Sequence, residues 1–353
     1  MENKYSIEQI KSAHKILKEF TYVPKPVNKG YSGETLYVNL STNEIKIKQV
    51  TERMKEIFIG GRGFGLWYLW NAVTEKTRWN DPENEIIISP GPIGGITQYP
   101  GAGKSLVVSL SPITGSAMDS NVGGYFGPYM KFSGFDAVEI QGKAPKDVVV
   151  FIDGDNGRIT IEEAPLEDTN SHIVCEQLTE LYAKDEADRL HVATVASGKA
   201  ADHTLIGHLN FSFYDKRRKG TRLKQAGRGG IGTVFRDKKI KGLVVRTTNI
   251  TGTSNNPADQ ALLNKTGIKL HKEIRRNDDK QCHMRTQGTA HLVEIMSDYD
   301  LLPVNNFKFG SHEKARQMAS WVWGQKFTQG IPDGCWFGCT MACAKAVDGF
   351  ELK

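Results

Sequence analysis

Thr35-Leu-Tyr-Val-Asn-Leu-Ser-Thr-Asn-Glu-Ile-Lys-Ile47 reads as two short β-branched and aromatic runs around a polar break. That pattern predicts a β-hairpin with its turn at residues 41–43. Similar runs recur outward along the chain at 35–38, 44–49, 85–89, 105–110, 137–141, 148–153 and 243–246, between Gly, Asp and Pro turns. Helical spacing predicts helices over 65–71, 173–182 and 257–275. Residues 6–20 also read as one amphipathic helix, with Ile7, Ile10, Ile16, Leu17 and Phe20 on its face and Ser6 as N-cap. Residues 247–256 form a polar Thr/Asn/Ser linker, beyond which the pattern is helical. The expected organisation is an N-terminal helical extension (1–30), a β-rich α+β domain (31–250) and the beginning of a helical domain (251–353).

The chain has 353 residues, more than one ordinary domain, with 39% hydrophobic and 24% charged residues. No stretch approaches the ~20 apolar residues of a membrane span. The start, Met-Glu-Asn-Lys, has no apolar core of a secretory signal, so a cytoplasmic setting is expected. The net charge of +6 is modest. The basic run Lys216-Arg-Arg-Lys-Gly-Thr-Arg-Leu-Lys224 could contact phosphate or nucleic acid but reads more simply as a solvated loop, so no nucleic-acid partner is expected.

Glycine clusters in the first domain, at Gly60-Gly-Arg-Gly-Phe-Gly65, Gly91-Pro-Ile-Gly-Gly95, Gly101-Ala-Gly103, Gly123-Gly124 and Gly227-Arg-Gly-Gly-Ile-Gly232. Such loops let backbone approach a ligand, and neighbouring Arg or Lys suits a phosphate-bearing cofactor. Pro100-Gly-Ala-Gly-Lys-Ser105 is not a P-loop: Gln98 stands where that motif needs glycine, and a strand, not a helix, follows. Gly227-Arg-Gly-Gly-Ile-Gly232 spells a dinucleotide fingerprint, but the residues before it are basic and polar rather than a buried strand.

Three of five cysteines, Cys335, Cys339 and Cys343, lie within nine residues. Thiolates so close suit an iron–sulfur cluster, whereas radical chemistry on S-adenosylmethionine uses a shorter second gap early in the chain. The bland reading is three thiols on one helical face. A fourth cluster ligand would be Cys175, Cys282 or a residue beyond the chain. Otherwise Cys175 and Cys282 are ordinary thiols. The few clustered cysteines suggest a reducing compartment.

Gly60-Gly-Arg-Gly, Ser89-Pro-Gly-Pro-Ile-Gly-Gly, Ser111-Pro-Ile-Thr-Gly115, Ser120-Asn-Val-Gly-Gly-Tyr-Phe-Gly127, Lys131-Phe-Ser-Gly-Phe-Asp-Ala137, Glu139-Ile-Gln-Gly-Lys143, Ala226-Gly-Arg-Gly-Gly-Ile-Gly-Thr-Val, Lys238-Lys-Ile-Lys-Gly-Leu-Val-Val-Arg246 and Leu302-Pro-Val-Asn-Asn-Phe307 together resemble the aldehyde:ferredoxin oxidoreductase family. The resemblance runs from about residue 32 to the C-terminus. It implies a two-sheet base under a tungsten (or molybdenum) bis-pterin, helical domains completing the pocket, a nearby [4Fe–4S] cluster and an anaerobic metabolism. Carried over by position, Asn121, Gly123, Arg228, Gly229 and Ile231 match pterin contacts. Lys104 stands where the family often has Arg, keeping the charge without the planar fork. Cys335, Cys339 and Cys343 match three cluster ligands, although the family's first gap is more often one residue shorter.

The implied reaction is oxidation of an aldehyde to a carboxylate, with electrons passed to ferredoxin or an iron–sulfur subunit. The alternatives are the tungsten subunit of a ring-reducing aryl-CoA (benzoyl-CoA type) reductase and a non-catalytic fragment that binds cofactor or a partner chain; homo- or hetero-oligomers are compatible with each. The family's acids and bases lie beyond the cysteine motif, so no catalytic residue is named. His203, His208, His283 and His291 are candidates for substrate or proton handling, each weighed against an ordinary structural histidine. Family members are about twice this length, so the expectation is that polypeptide beyond Lys353, or a second chain, covers the apolar helix faces of residues 262–322.

Overall fold

The computed structural model describes residues 5–168, 170–251, 253–326, 334–341, 343–347, 349 and 351. The chain divides into two units, Met1–Ile96 with Ala102–Ala258, and Thr97–Gly101 with Asp259–Lys353.

The first unit carries two mixed sheets, an α+β fold. Its strands are β1 (Lys15–Thr21), β2 (Glu34–Asn39), β3 (Glu44–Gln49), β4 (Ile86–Pro90), β5 (Ser105–Leu110), β6 (Ala117–Val122), β7 (Ala137–Gln141), β8 (Val148–Asp153), β9 (Arg158–Glu163), β10 (Val192–Ala196), β11 (Leu209–Asp215), β12 (Gly220–Ala226) and β13 (Ile240–Arg246). One sheet runs β3-β2-β7-β4-β5-β6; the other runs β1-β9-β8-β13-β10-β11-β12. β2 pairs with β7, and β13 with β8, in parallel, while the other neighbours are antiparallel. The hairpin read from residues 35–47 is β2–β3, with Leu36 opposite Ile47.

Its helices are α1 (Ile7–Ala13), α2 (Glu52–Phe58), α3 (Arg62–Ala72), α4 (Phe126–Phe132), α5 (Ser171–Tyr182) and α6 (Ile231–Asp237). α3 covers β4 and β5, burying Phe64, Tyr68 and Leu69 with Ile87 and Val108. α5 covers the other sheet, burying Val174, Cys175 and Leu178 against Val149, Val192 and Val244. α4 packs on β4 of one sheet and on β10, β11 and β13 of the other, and every one of its residues is buried. Phe126 meets Phe211 edge-on at 5.9 Å between ring centroids.

The single helix expected over residues 6–20 is not formed. Ser6 caps α1, with reciprocal Ser6–Gln9 bonds, but the helix ends at Ala13. β9 offers an open sheet edge, and residues 15–21 fill it as β1, with Phe20 opposite Ile159. His14, at the switch between the two, is held by Glu162 and Glu167. Tertiary partners overrode a helical pattern that runs on to Phe20.

The second unit contains α7 (Gln260–Asn277), α8 (Leu292–Asp298), α9 (Ser320–Gly324) and a π-helical turn at Asp278–Cys282. Asp259 Oδ1 accepts from the Leu262 amide at 2.8 Å, which starts α7.

Candidate functional site

The β4–β5–β6 register sets one end of the site. Pro90 lies opposite Ser105, and Ser105 opposite Val122. The segments continuing from these three residues, at Gly91, Lys104 and Gly123, therefore leave the same end of the sheet. Lys104 is exposed immediately before β5. Asn121 is exposed on β6, opposite Leu106. Gly123, two residues on from Asn121, is buried. The next residue, Gly124, has φ +93°, and a Cβ there would lie 3.1 Å from Phe211 Cβ.

The loop at residues 227–230 runs along β6. The Arg228 amide donates to Ser120 Oγ at 3.1 Å, and Ser111 Oγ donates to the Gly229 carbonyl at 2.9 Å. Gly230 has φ +72°, and a Cβ there would lie 2.0 Å from the Leu205 carbonyl oxygen. Only glycine allows this approach. Arg228 is exposed, next to the residue that neighbours Asn121. Ile231 is wholly buried at the start of α6, so its side chain anchors the loop and faces no ligand.

A further cation, Arg62 at the start of α3, reaches Asp119 of β6 at 3.0 Å. The Gly61 amide bonds to the Pro90 carbonyl at 3.1 Å, tying that turn to the same sheet end. Arg62, Lys104 and Arg228 are all exposed, and nothing lies within 4 Å of a Cβ built on Gly91 or Gly227. Three cations, an exposed amide side chain and open glycine backbone are the donor set that a phosphorylated, anionic pterin takes. The residues fit that group.

Cys335 lies in a bend, Cys339 just after a turn and Cys343 at an isolated bridge; none is on a helix, which overturns the reading of three thiols on one helical face. Cys335 is buried, and Cys339 and Cys343 are half-buried. Gly334 comes close to Cys339: a Cβ on Gly334 would sit 2.8 Å from Cys339 Cβ. Gly288, at φ +67°, lets the backbone pass the Cys343 carbonyl. The thiols are the right donors for an iron–sulfur cluster. Among the described residues, however, no group of three or more His, Cys, Asp or Glu side chains is gathered to hold a metal ion. Cys175 is enclosed in the core of α5 and its sheet, and burial pushes its thiol up to about 12. Cys175 packs there as an ordinary buried thiol of the core. Cys282 is exposed at the end of the π turn.

The family model described as the N-terminal domain of aldehyde ferredoxin oxidoreductase matches residues 35–247, and that of its domains 2 and 3 matches residues 265–353. The chain belongs to the aldehyde ferredoxin oxidoreductase family. Curated relatives named tungsten-containing aldehyde ferredoxin oxidoreductase include one from Pyrococcus horikoshii, 30% identical over 316 residues, and one from Pyrococcus abyssi, 31% identical over 316 residues. Each match covers 90% of this chain and 49% of the relative, so the chain spans about half the length of the curated relatives it matches. Among solved structures, the active-site complex BamBC of benzoyl coenzyme A reductase, with 1,5-dienoyl-CoA, has the same fold. Its TM-score is 0.66 at 21% identity, covering 92% of this chain and 48% of that one.

α1 and β1 lie outside the family match, which begins at residue 35. Within that added segment, His14 was missed as a charged residue. Its Nδ1 lies 3.0 Å from Glu162 Oε2, and its Nε2 meets Glu167. Burial disfavours the imidazolium, but the hydrogen bonds and charges of Glu162 and Glu167 raise it to about 9. The basic run at 216–224 is not a loop but a tight turn leading into β12, so a strand does precede the 227–232 loop. That strand is an antiparallel edge strand, unlike the buried parallel strand of a dinucleotide site. His203 and His208 are exposed. The His208 backbone supports the loop, since a Cβ on Gly232 would lie 2.2 Å from its carbonyl oxygen. His283 and His291 stack edge-on at 5.3 Å between centroids. No helix among the described residues is long and apolar enough to cross a membrane.

Proposed function

We propose that the chain is the cofactor-binding part of a tungsten-pterin oxidoreductase that oxidises an aldehyde to a carboxylate and passes electrons to ferredoxin or an iron–sulfur subunit. One observation carries the cofactor assignment. The Arg228–Ser120 bond sets the 227–230 loop against β6, so that exposed Arg228, Asn121 and Lys104 share one end of one sheet.

In this reading Lys104 and Arg228 bind the anionic groups of the pterins, and Asn121 orients a pterin by hydrogen bonding. Gly123 lies beside Asn121, Gly229 makes room for Met118 beneath the loop, and buried Ile231 fixes that loop. When bound, the metal–dithiolene unit supplies two-electron chemistry; the protein supplies placement and electrostatics. Cys335, Cys339 and Cys343 are the residues that would hold an iron–sulfur cluster as the one-electron outlet. An aldehyde is favoured over an aryl-CoA because the curated relatives at 30% and 31% identity carry that name.

The test is analysis of the purified protein for tungsten, molybdenum, iron and pterin. Tungsten stoichiometric with protein, accompanied by pterin and iron, is the expected result. Protein lacking both metals and pterin would sink the proposal.

A further inference from the structure

Lys131 lies on α4 and is 1% exposed. A buried ammonium is costly unless its protons find acceptors. Its Nζ donates to the Gly91 carbonyl at 2.5 Å and to the Pro92 carbonyl at 3.1 Å. Burial lowers the Lys131 ammonium to about 8, opposed by nearby Asp136, whose own oxygens accept from the Ser32 and Gly33 amides at 2.9 and 2.8 Å. The cation is therefore spent on two backbone carbonyls of a single turn. A methionine or leucine would fill the same space without the desolvation cost.

The turn it holds is closed on its inner side. A Cβ on Gly95 would sit 2.4 Å from the Phe132 ring, and one on Gly94 would sit 2.9 Å from Pro90 Cβ. Asn255 Nδ2 donates to the same Pro92 carbonyl at 2.9 Å. The side where a Gly91 Cβ would point is open, with nothing within 4 Å. Gly91 follows Pro90, whose register partner Ser105 is next to Lys104. Carbonyl oxygens carry the negative end of the peptide dipole, so turning them toward Lys131 keeps that end away from an anion outside.

We propose that Lys131 is a positioning residue for the cofactor: it draws the Gly91 and Pro92 carbonyls inward and places a positive charge behind the turn that faces the anionic pterin. This rests on the tungsten-pterin reading above. A merely structural lysine would be replaceable by any side chain that preserves the fold. A positioning lysine is replaceable only by another cation.

The test compares wild type with Lys131→Met, Lys131→Gln and Lys131→Arg, measuring thermal melting, tungsten content and pterin fluorescence after oxidation. Wild type and Lys131→Arg are expected to stay loaded. The two neutral variants are expected to fold, since they bury no charge. They should hold cofactor roughly ten- to a hundredfold more weakly, as supporting groups around a metal site do when replaced. A folded neutral variant as fully loaded as wild type overturns the proposal, as does Lys131→Arg depleted to the level of Lys131→Met. Failure of both neutral variants to fold assigns the ammonium to the fold itself and also overturns it. A wild type without pterin sinks the cofactor reading, and this proposal with it. A loaded wild type with loaded neutral variants sinks this proposal alone.

Discussion

Two glycine-flanked segments, residues 227–232 and 335–343, use the same local device in opposite circumstances. Gly230 and Gly338 both have left-handed φ, +72° and +74°. The first segment is fixed by Ser111, Ser120 and the buried Ile231, so its shape exists before any ligand arrives. In the second, the thiols are buried or half-buried, and among the described residues they are not gathered into a metal-holding group. The difference follows from charge. An anion cradle can be preformed from backbone and separated cations. Several thiolates converge only where a metal offsets their repulsion, so in the proposed reading this segment would take its final shape with the metal.

If that contrast holds, the largest effect comes from breaking the second segment. Cys339→Ser is expected to remove most of the iron and the visible absorption while leaving melting of the first unit unchanged. Iron content equal to wild type would contradict the assignment. Next is the first segment, broken from within. Gly230→Ala places a methyl against the Leu205 carbonyl at a positive φ, and should cost about 3 kcal/mol in denaturant unfolding. A cost below about 1 kcal/mol would show that the loop is not held as tightly as its contacts imply.

Arg228→Ala separates shape from charge. The side chain is exposed, so stability should move by no more than about 0.5 kcal/mol. Tungsten retention in dialysis should nevertheless fall about tenfold. Equal retention would remove Arg228 from the cradle.

The smallest effect concerns the segment outside the family match. His14, at about 9, lies above its ordinary 6.5, so its contribution is fully present below pH 6.5 and is lost as pH rises through 9. Glu162 is shifted the other way: burial opposes its charge, but bonds from His14, Thr160 and Tyr182 bring it below the usual 4.5. Its contribution is present above 4.5 and fades in more acid solution. Between pH 8 and pH 10, amide exchange should rise in β1 and its β9 partners without global unfolding. Exchange in β1 following the rest of the sheet would argue against a separate His14 clamp.

Much of the sheet architecture was legible because its strands are locally marked. Residues 44–49, 105–110, 137–141 and 148–153 form strands with the bounds their β-branched runs suggest. β10 and β11 escaped notice although Ser197-Gly198 and Gly207 lie beside them, because small and polar residues interrupt Val-Ala-Thr-Val-Ala and Leu-Asn-Phe-Ser-Phe-Tyr-Asp. α4 and α6 are seven residues each, too short for helical periodicity to register. The glycine loops were visible as local spacing. The Ser120–Arg228 bond was not, because it depends on how two distant edge strands meet. Neither was the burial of Lys131, since lysine is ordinarily a surface residue. His14 misled for the same reason: its partners Glu162 and Glu167 come from a distant part of the chain.

The central claim is that one end of the β4–β5–β6 sheet, with the 227–230 loop, is a preformed cradle for an anionic pterin. A crystal structure of the metal-loaded protein tests it most directly. The predicted result is pterin density against Arg228, Asn121 and Lys104, with the loop backbone still held by the Arg228–Ser120 and Ser111–Gly229 bonds. Density for the cofactor elsewhere, or a nucleotide bound at the Lys104 loop, would contradict it.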